Sequence, residues 1–366
     1  MPEQLKLQHL FDTVSPRERA GAVSSDRMQY QKDWAICKLL KLHLDGLDYL
    51  VAFDIHDDVL IFEPENDPTT ICFYQIKTTD KDAWTLAQLV RRSHGKKGRL
   101  PSILGNLYHN QKLFQVFTKR LTLVSNSPFK IGLSADGKKA EVLPDAETPF
   151  SKLPTAKKTE IASAIRLEHA LDAEPVLDNL LWFEKADLPL TGHDTFTRGR
   201  LSEFFSQVNP TAKYNIPLIY GVLIDEIRRR NDYSKKGISF SEMCKEKAIG
   251  KTQFAEIIKI VAVDESPEEA WVEISSRLTA EGMEFSSQQS IRRAWHRVET
   301  KRTVVGDAHF RRLAQFVAQL SILESSTLSA TMNQGMEVLK PEFGGELMSD
   351  DDFLRAVILM KLYNVL

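Results

Sequence analysis

Three apolar runs of strand character follow one another between positions 49 and 77: YLVAFDI (49–55), VLIF (59–62) and ICFYQIK (71–77). Their aromatic and β-branched residues favour extended backbone. His56-Asp57-Asp58 reads as the first turn, and the stretch 64–70, with two prolines and two acids, leads back into the third run. Strands joined so closely in sequence pair within one sheet. Asp58 opens the second strand. Side chains alternate along the third, so Gln75 and Lys77 project together, Ile71 and Phe73 lie further back on that face under a helix, and Cys72, Tyr74 and Ile76 face the other way. A polar pair that closes an apolar strand points to a site.

Neighbouring strands bring Asp58, Gln75 and Lys77 into one small volume. The Asp58 carboxylate and the Gln75 side-chain carbonyl are hard oxygen ligands suited to Mg²⁺ or Mn²⁺, with water and phosphate completing the shell. Such a cation lowers the pKa of a bound water and neutralises charge on a phosphate under attack. Lys77 then orients that water or stabilises the transition state, because an ammonium is worth more in a partly desolvated cleft than in bulk water. An aspartate followed at some distance by [DEQ]-x-Lys also recurs by chance. Spacing alone therefore leaves a second reading open, in which Gln75 and Lys77 are a solvated strand end and Asp57-Asp58 a plain turn.

The segments QYQKDWAICKLLKLH, DYLVAFDIHDDVLIF and FYQIKTTDKDAWTL, followed by SILGNLY (102–108) and LTLVSN (121–126), carry a resemblance. In that order they resemble the N-terminal nuclease domain of the double-stranded-DNA endonuclease effectors of bacterial CBASS and related antiphage systems, members of the PD-(D/E)xK superfamily. The resemblance covers roughly the first 210 residues. It implies an α/β restriction-endonuclease-like core, a mixed sheet flanked by helices. Its metal-binding acid falls on Asp58, with Asp57 the competing choice, its Glu/Gln on Gln75 and its lysine on Lys77. An accessory group on the first helix falls on Gln31, with Asp33 the weaker choice. Two departures stand out: Gln75 replaces the commoner carboxylate, which weakens metal affinity, and Asn106 stands where a lysine often precedes the Leu-Tyr pair.

The helix expected over 27–44 carries Tyr30, Trp34, Cys37, Leu40 and Leu44 at a spacing that lines one face, which makes Trp34 a core residue, not a base-stacking platform. Between 91 and 99 the sequence RRSHGKKGR sets Arg91, Arg92, Lys96, Lys97 and Arg99 around two glycines. Beside a nuclease centre such a basic loop neutralises backbone phosphates of DNA, with an affinity that falls steeply with salt. Standing alone it would be a solvated loop, and His94 a surface histidine.

At 366 residues the chain has room for two cores, and 42% hydrophobic with 27% charged residues is ordinary globular composition. The net charge of −2 leaves attraction to nucleic acid to local patches, which argues against a simple DNA-binding protein. Cys37, Cys72 and Cys244 are scattered, so neither structural zinc nor a disulfide framework is expected. The opening MPEQLKLQHL lacks an apolar leader, and the apolar run 353–366 is broken by Arg355 and Lys361, so no membrane partner and a cytoplasmic location are expected.

Texture changes around 208–217, where Asn209-Pro210 and Pro217 bracket a polar stretch. Beyond it the chain reads almost wholly helical, with start signals at SFSE (239–242), SPEE (266–269) and SDDD (349–352). The segment IRRAWHRVETKR (291–302) is basic, with Trp295 either packed inward or anchoring a contact to DNA or another subunit. No phosphate-binding glycine loop or repeat is present in this part. The expected organisation is a nuclease domain over 1–216 and an all-α assembly or regulatory domain over 217–366.

In the CBASS effectors the region after the nuclease senses cyclic oligonucleotides. Other nucleases similar in their first domain work beside a HerA-type hexameric ATPase, and a compact helical domain suits that arrangement better. The sequence thus leads to a Mg²⁺-dependent endonuclease acting on double-stranded DNA, gated by assembly as a homo-oligomer with a HerA-type ATPase. A cyclic-oligonucleotide-activated effector and a catalytically silent DNA-binding or scaffold subunit are the alternatives.

Overall fold

A computed structural model describes residues 6–14, 25–95, 98–134, 137, 139–208, 210, 214–235, 237–261, 267–302, 307–320, 327–343, 350–363 and 365. The chain forms two compact units, 1–201 with 224–254 and 202–223 with 255–366.

The first unit is built on a sheet of β1 (Leu50–Ile55), β2 (Asp57–Glu63), β3 (Thr70–Ile76), β4 (Thr118–Ser125), β5 (Glu147–Pro149), β6 (Leu181–Lys185) and β7 (Ala248–Gly250). Their order is β5-β6-β4-β3-β2-β1-β7. The first three strands form the antiparallel meander expected from their short connections, while β3, β4 and β6 run parallel. The first turn is tighter than the sequence implied. Ile55 pairs directly with Asp57, because His56 takes φ of 57°, a left-handed conformation that histidine and aspartate tolerate better than most residues.

Each face of the sheet packs under helices, as alternation along the strands dictates. Leu60, Phe62, Ile71, Phe73, Leu121, Leu123 and Phe183 share one apolar cluster with residues of α1 (Leu7–Thr13), α3 (Ile103–Phe114) and α4 (Thr155–His169). On the other face lies α2 (Ser25–Leu44), whose Trp34 ring is 5.3 Å from that of Tyr74. Trp34 is buried, as its spacing required.

The buried stripe of α2 is broader than the expected single face. Ile36 and Leu39 are fully enclosed and Leu44 is exposed, since a second side of α2 meets the helix His193–Val208. There Asp33 hydrogen-bonds His193 at 2.7 Å, and Cys37 Sγ lies 3.8 Å from Thr197 Oγ1. Behind the sheet, the Trp34 indole N–H donates to the buried Glu184 carboxylate at 3.1 Å. Burial pushes the Glu184 carboxyl above the usual carboxylate range, against the partly offsetting pull of Lys38.

In the second unit the helix Asp351–Leu362 is buried on nearly every side, with Leu354, Val357, Ile358 and Leu359 fully enclosed. It packs against Phe285–Arg302, Ala308–Gln319 and Leu328–Phe343. This assigns the apolar run near the C-terminus to a bundle core, and no helix among the described residues is long and apolar enough to cross a membrane. Trp295 is fully buried in the same cluster, so of its two readings the inward one holds. Ser239 caps Phe240–Lys247 by accepting from the Glu242 amide, whereas Asp350, one residue beyond Ser349, caps Asp351–Leu362. Ser266 and Ser349 lie outside the described residues.

Candidate active site

The start of β2 lies beside the C-terminal ends of β3 and β4, and at this rim of the sheet the polar residues collect. The β2–β3 ladder runs from Glu63↔Thr70 to Val59↔Tyr74. Asp58 stands just before the last pair of that ladder, beside the residues that follow Tyr74 on β3. There a side chain replaces a backbone acceptor: Asp58 Oδ2 accepts from the Ile76 amide at 2.7 Å. The carboxylate is thereby held at the residue lying between Gln75 and Lys77.

Gln75 is buried, and its Oε1 has no hydrogen-bond partner among the described residues. An enclosed carbonyl oxygen without a donor is costly unless something else fills its lone pairs, which suits a ligand atom for a cation or an ordered water. Lys77 is half-buried, and its amide continues the parallel ladder by donating to Val124 O at 2.9 Å. Among the described residues its ammonium has no ion-pair partner within 4.0 Å. Gln31, from α2, directs its amide nitrogen to Ile76 O at the long distance of 3.5 Å.

Asp57 has a different setting. Its Oδ1 accepts from the Asp58 amide at 3.1 Å, and its Oδ2 accepts from Asn110 Nδ2 at 2.8 Å. Both carboxylate oxygens are engaged within the protein, so Asp57 braces the start of β2. Asn110, which sequence reasoning missed, is buried on α3. Its signal was a polar residue on the apolar stripe of Leu107 and Phe114.

The basic segment is a two-stranded hairpin, His94–Gly95 with Gly98–Arg99. It follows the short helix Leu86–Val90, whose Leu86 and Leu89 join the α3-side cluster, on the sheet face of Phe73 and, by alternation, Gln75. Arg91 and Arg99 are exposed, while Arg92 turns back toward the carbonyls of Arg99 and Leu100 at 3.4 Å each. Lys96 and Lys97 lie outside the described residues. In the second unit, Glu268, His296 and Glu299 bring ligand-type atoms within 4.8 Å of one another. Arg292 already pairs with Glu268 and Glu299 with His296, which makes this a surface ion-pair cluster.

Comparison with known families gives the class of the chain. The family described as "Cap4, dsDNA endonuclease domain" matches residues 19–231, more than half of the chain. The chain belongs to the Cap4 dsDNA endonuclease family. This is the kind of domain that the ordered segments from QYQKDW to LTLVSN resemble. The chain is also similar to the Lamassu protein LmuA of Bacillus cereus (strain VD014), at 23% identity over 254 residues. That match covers 68% of this chain and 66% of LmuA, just under two thirds of the relative's length.

Proposed function

We propose that this chain is a metal-dependent endonuclease of a bacterial antiphage defence system, hydrolysing phosphodiester bonds of double-stranded DNA at the rim formed by β2, β3 and β4. What carries the reading is Asp58: its carboxylate takes the Ile76 amide at 2.7 Å, at the residue next to Gln75, whose buried Oε1 has no partner among the described residues. An acid and an amide oxygen on adjacent strands are a hard donor pair, and the family to which the chain belongs is one of DNA endonucleases.

Asp58 and Gln75 would hold the divalent cation, Mg²⁺ or Mn²⁺. When bound, such a cation neutralises phosphate charge and lowers the pKa of water. Lys77, without a carboxylate partner among the described residues, presents its ammonium to the scissile phosphate and stabilises the negative charge that develops there. Asp57, fixed by Asn110, keeps the first residues of β2 in place, and Gln31 closes the site from α2. Arg91, Arg92 and Arg99 of the hairpin contact backbone phosphates of the duplex, with Lys96 and Lys97 assigned the same role from sequence.

A nuclease of this kind endangers its own host unless it is gated. We assign gating to assembly: within residues 217–366, the helices of the second unit support a homo-oligomer that works with a HerA-type ATPase. Sizing of the protein, alone and co-expressed with its operon neighbour, tests this, and a monomer in both preparations would remove it.

Plasmid cleavage with and without Mg²⁺ tests the chemistry. Lys77→Ala should lower turnover by about 10²–10³, the usual loss for one preorganised transition-state donor. Cleavage that is unchanged in the variant, or indifferent to chelation, would sink the assignment.

A further inference from the structure

We infer that Asn126 is a positioning residue for Lys77: its carboxamide clasps the backbone of Thr79, two residues beyond the lysine, and so fixes the segment that carries the ammonium. The inference rests on the nuclease reading of this rim. Thr79 N donates to Asn126 Oδ1 at 2.9 Å, and Asn126 Nδ2 donates to Thr79 O at 2.9 Å. A carboxamide presents an acceptor and a donor side by side, which complements the N–H and C=O of one residue. Asparagine here acts as one more rung of the β3–β4 ladder after both strands have ended.

The placement gives the clasp its purpose. Lys77 is held on its upstream side by the last backbone rung, Lys77 N to Val124 O at 2.9 Å, and on its downstream side by the Asn126 bonds. Beyond Thr79 the chain stays laced to the end of β4: Ser127 Oγ donates to Lys81 O at 2.9 Å, and the Trp84 indole donates to Ser125 Oγ at 2.8 Å. A long, flexible side chain with no ion-pair partner among the described residues depends on its backbone for aim. Fixing that backbone at both ends limits where the ammonium can reach.

The chemistry of the clasp sets the test. Asp at 126 keeps the acceptor and loses the donor, and Ala loses both. The protein is purified with its operon neighbours and assayed in Mg²⁺ and Mn²⁺ at single turnover, with enzyme in excess. Duplex affinity is measured separately in Ca²⁺, and melting temperature is recorded for each variant. Asn126→Ala is expected to slow cleavage by about a hundredfold, the scale of a 1 Å misplacement, and to leave duplex affinity within about twofold. Asn126→Asp should fall between that variant and the native chain.

The Lys77→Ala background separates positioning from general support. There, adding Asn126→Ala should cost nothing further. An equal loss in both backgrounds, or no loss in the native one, overturns the inference while leaving the nuclease reading intact. Failure of Asn126→Ala to fold passes the decision to Asn126→Asp, and failure of both would make Asn126 a staple of the fold and overturn the inference too. A native chain inert in both metals ends the nuclease reading and the inference with it, a result distinct from the others.

Discussion

The two neighbouring aspartates have different surroundings, and this makes them separable by experiment. Asp57 spends both oxygens on the Asp58 amide and Asn110, so Asp57→Asn should cost about 1–3 kcal/mol in a denaturant melt, the penalty for disturbing a buried polar pair. Asp58→Asn should instead leave the melt nearly unchanged and lower cleavage by at least the roughly 10–100-fold that losing even an outer partner of a metal site costs. The reverse pattern would exchange their roles. At Gln75, restoring a carboxylate should strengthen cation binding: Gln75→Glu is expected to lower the Mg²⁺ concentration for half-maximal cleavage, and a rise would refute the amide's place in the shell. That Gln75 and Lys77 lie two residues apart at the end of β3, with Asp58 at the start of the neighbouring strand, was readable in the sequence from strand alternation and the short connections; their role at a site is what we propose. Asn110 and Asn126 were not readable, because each acts through a partner distant in sequence, Asp57 and Thr79 respectively.

Among the elements, the long strands and α2 were legible from period and residue type, and the second strand begins at Asp57, one residue before Asp58, because His56 alone makes the turn. The strand β7 left no such trace. Ala248-Ile249-Gly250 has no alternation of its own, and it is a strand only because β1 offers it an edge, through Leu50↔Gly250 and Ala52↔Ala248. A side chain fully enclosed in the fold secures it: Arg230 Nε donates to Ala248 O at 2.7 Å while its guanidinium pairs with Glu226. Arg230→Met should therefore destabilise the first unit by about 3 kcal/mol, the low end for a broken buried pair because Arg229 still holds Glu226, and should speed hydrogen exchange along β1. The hairpin predicts a different signature. Every phosphate that the hairpin ceases to neutralise lowers the salt slope of duplex affinity by about 0.9, so the triple change Arg91→Ala, Arg92→Ala, Arg99→Ala should flatten that slope by about two to three, and an unchanged slope would exclude the hairpin from the DNA path.

At the scale of the whole molecule, pH acts through the buried carboxyl behind the sheet. Because burial raises the Glu184 carboxyl in the folded state, the native chain keeps that proton to higher pH than the unfolded chain. Its favourable contribution is present at acid pH and lost as pH rises from the unfolded value through the folded one. Glu184→Gln retains the acceptor for the Trp34 indole and removes the ionisation, so the variant should melt higher than the native protein near pH 8, with the gap closing toward pH 4. A gap that does not change with pH would show that Glu184 is not the group responsible. The division into a mixed sheet and a helical remainder was legible from composition and periodicity, since a β-rich first part and caps such as Ser239 are local signals. Which residues complete each unit was not, because that depends on pairings such as β1 with β7. That pairing has a practical side for anyone isolating the catalytic half: a fragment cut at residue 231, where the family match ends, would expose unpaired amides and carbonyls along β1 and invite chain-to-chain stacking into insoluble material. Carrying the fragment through Gly250 and Phe254 keeps that flank covered.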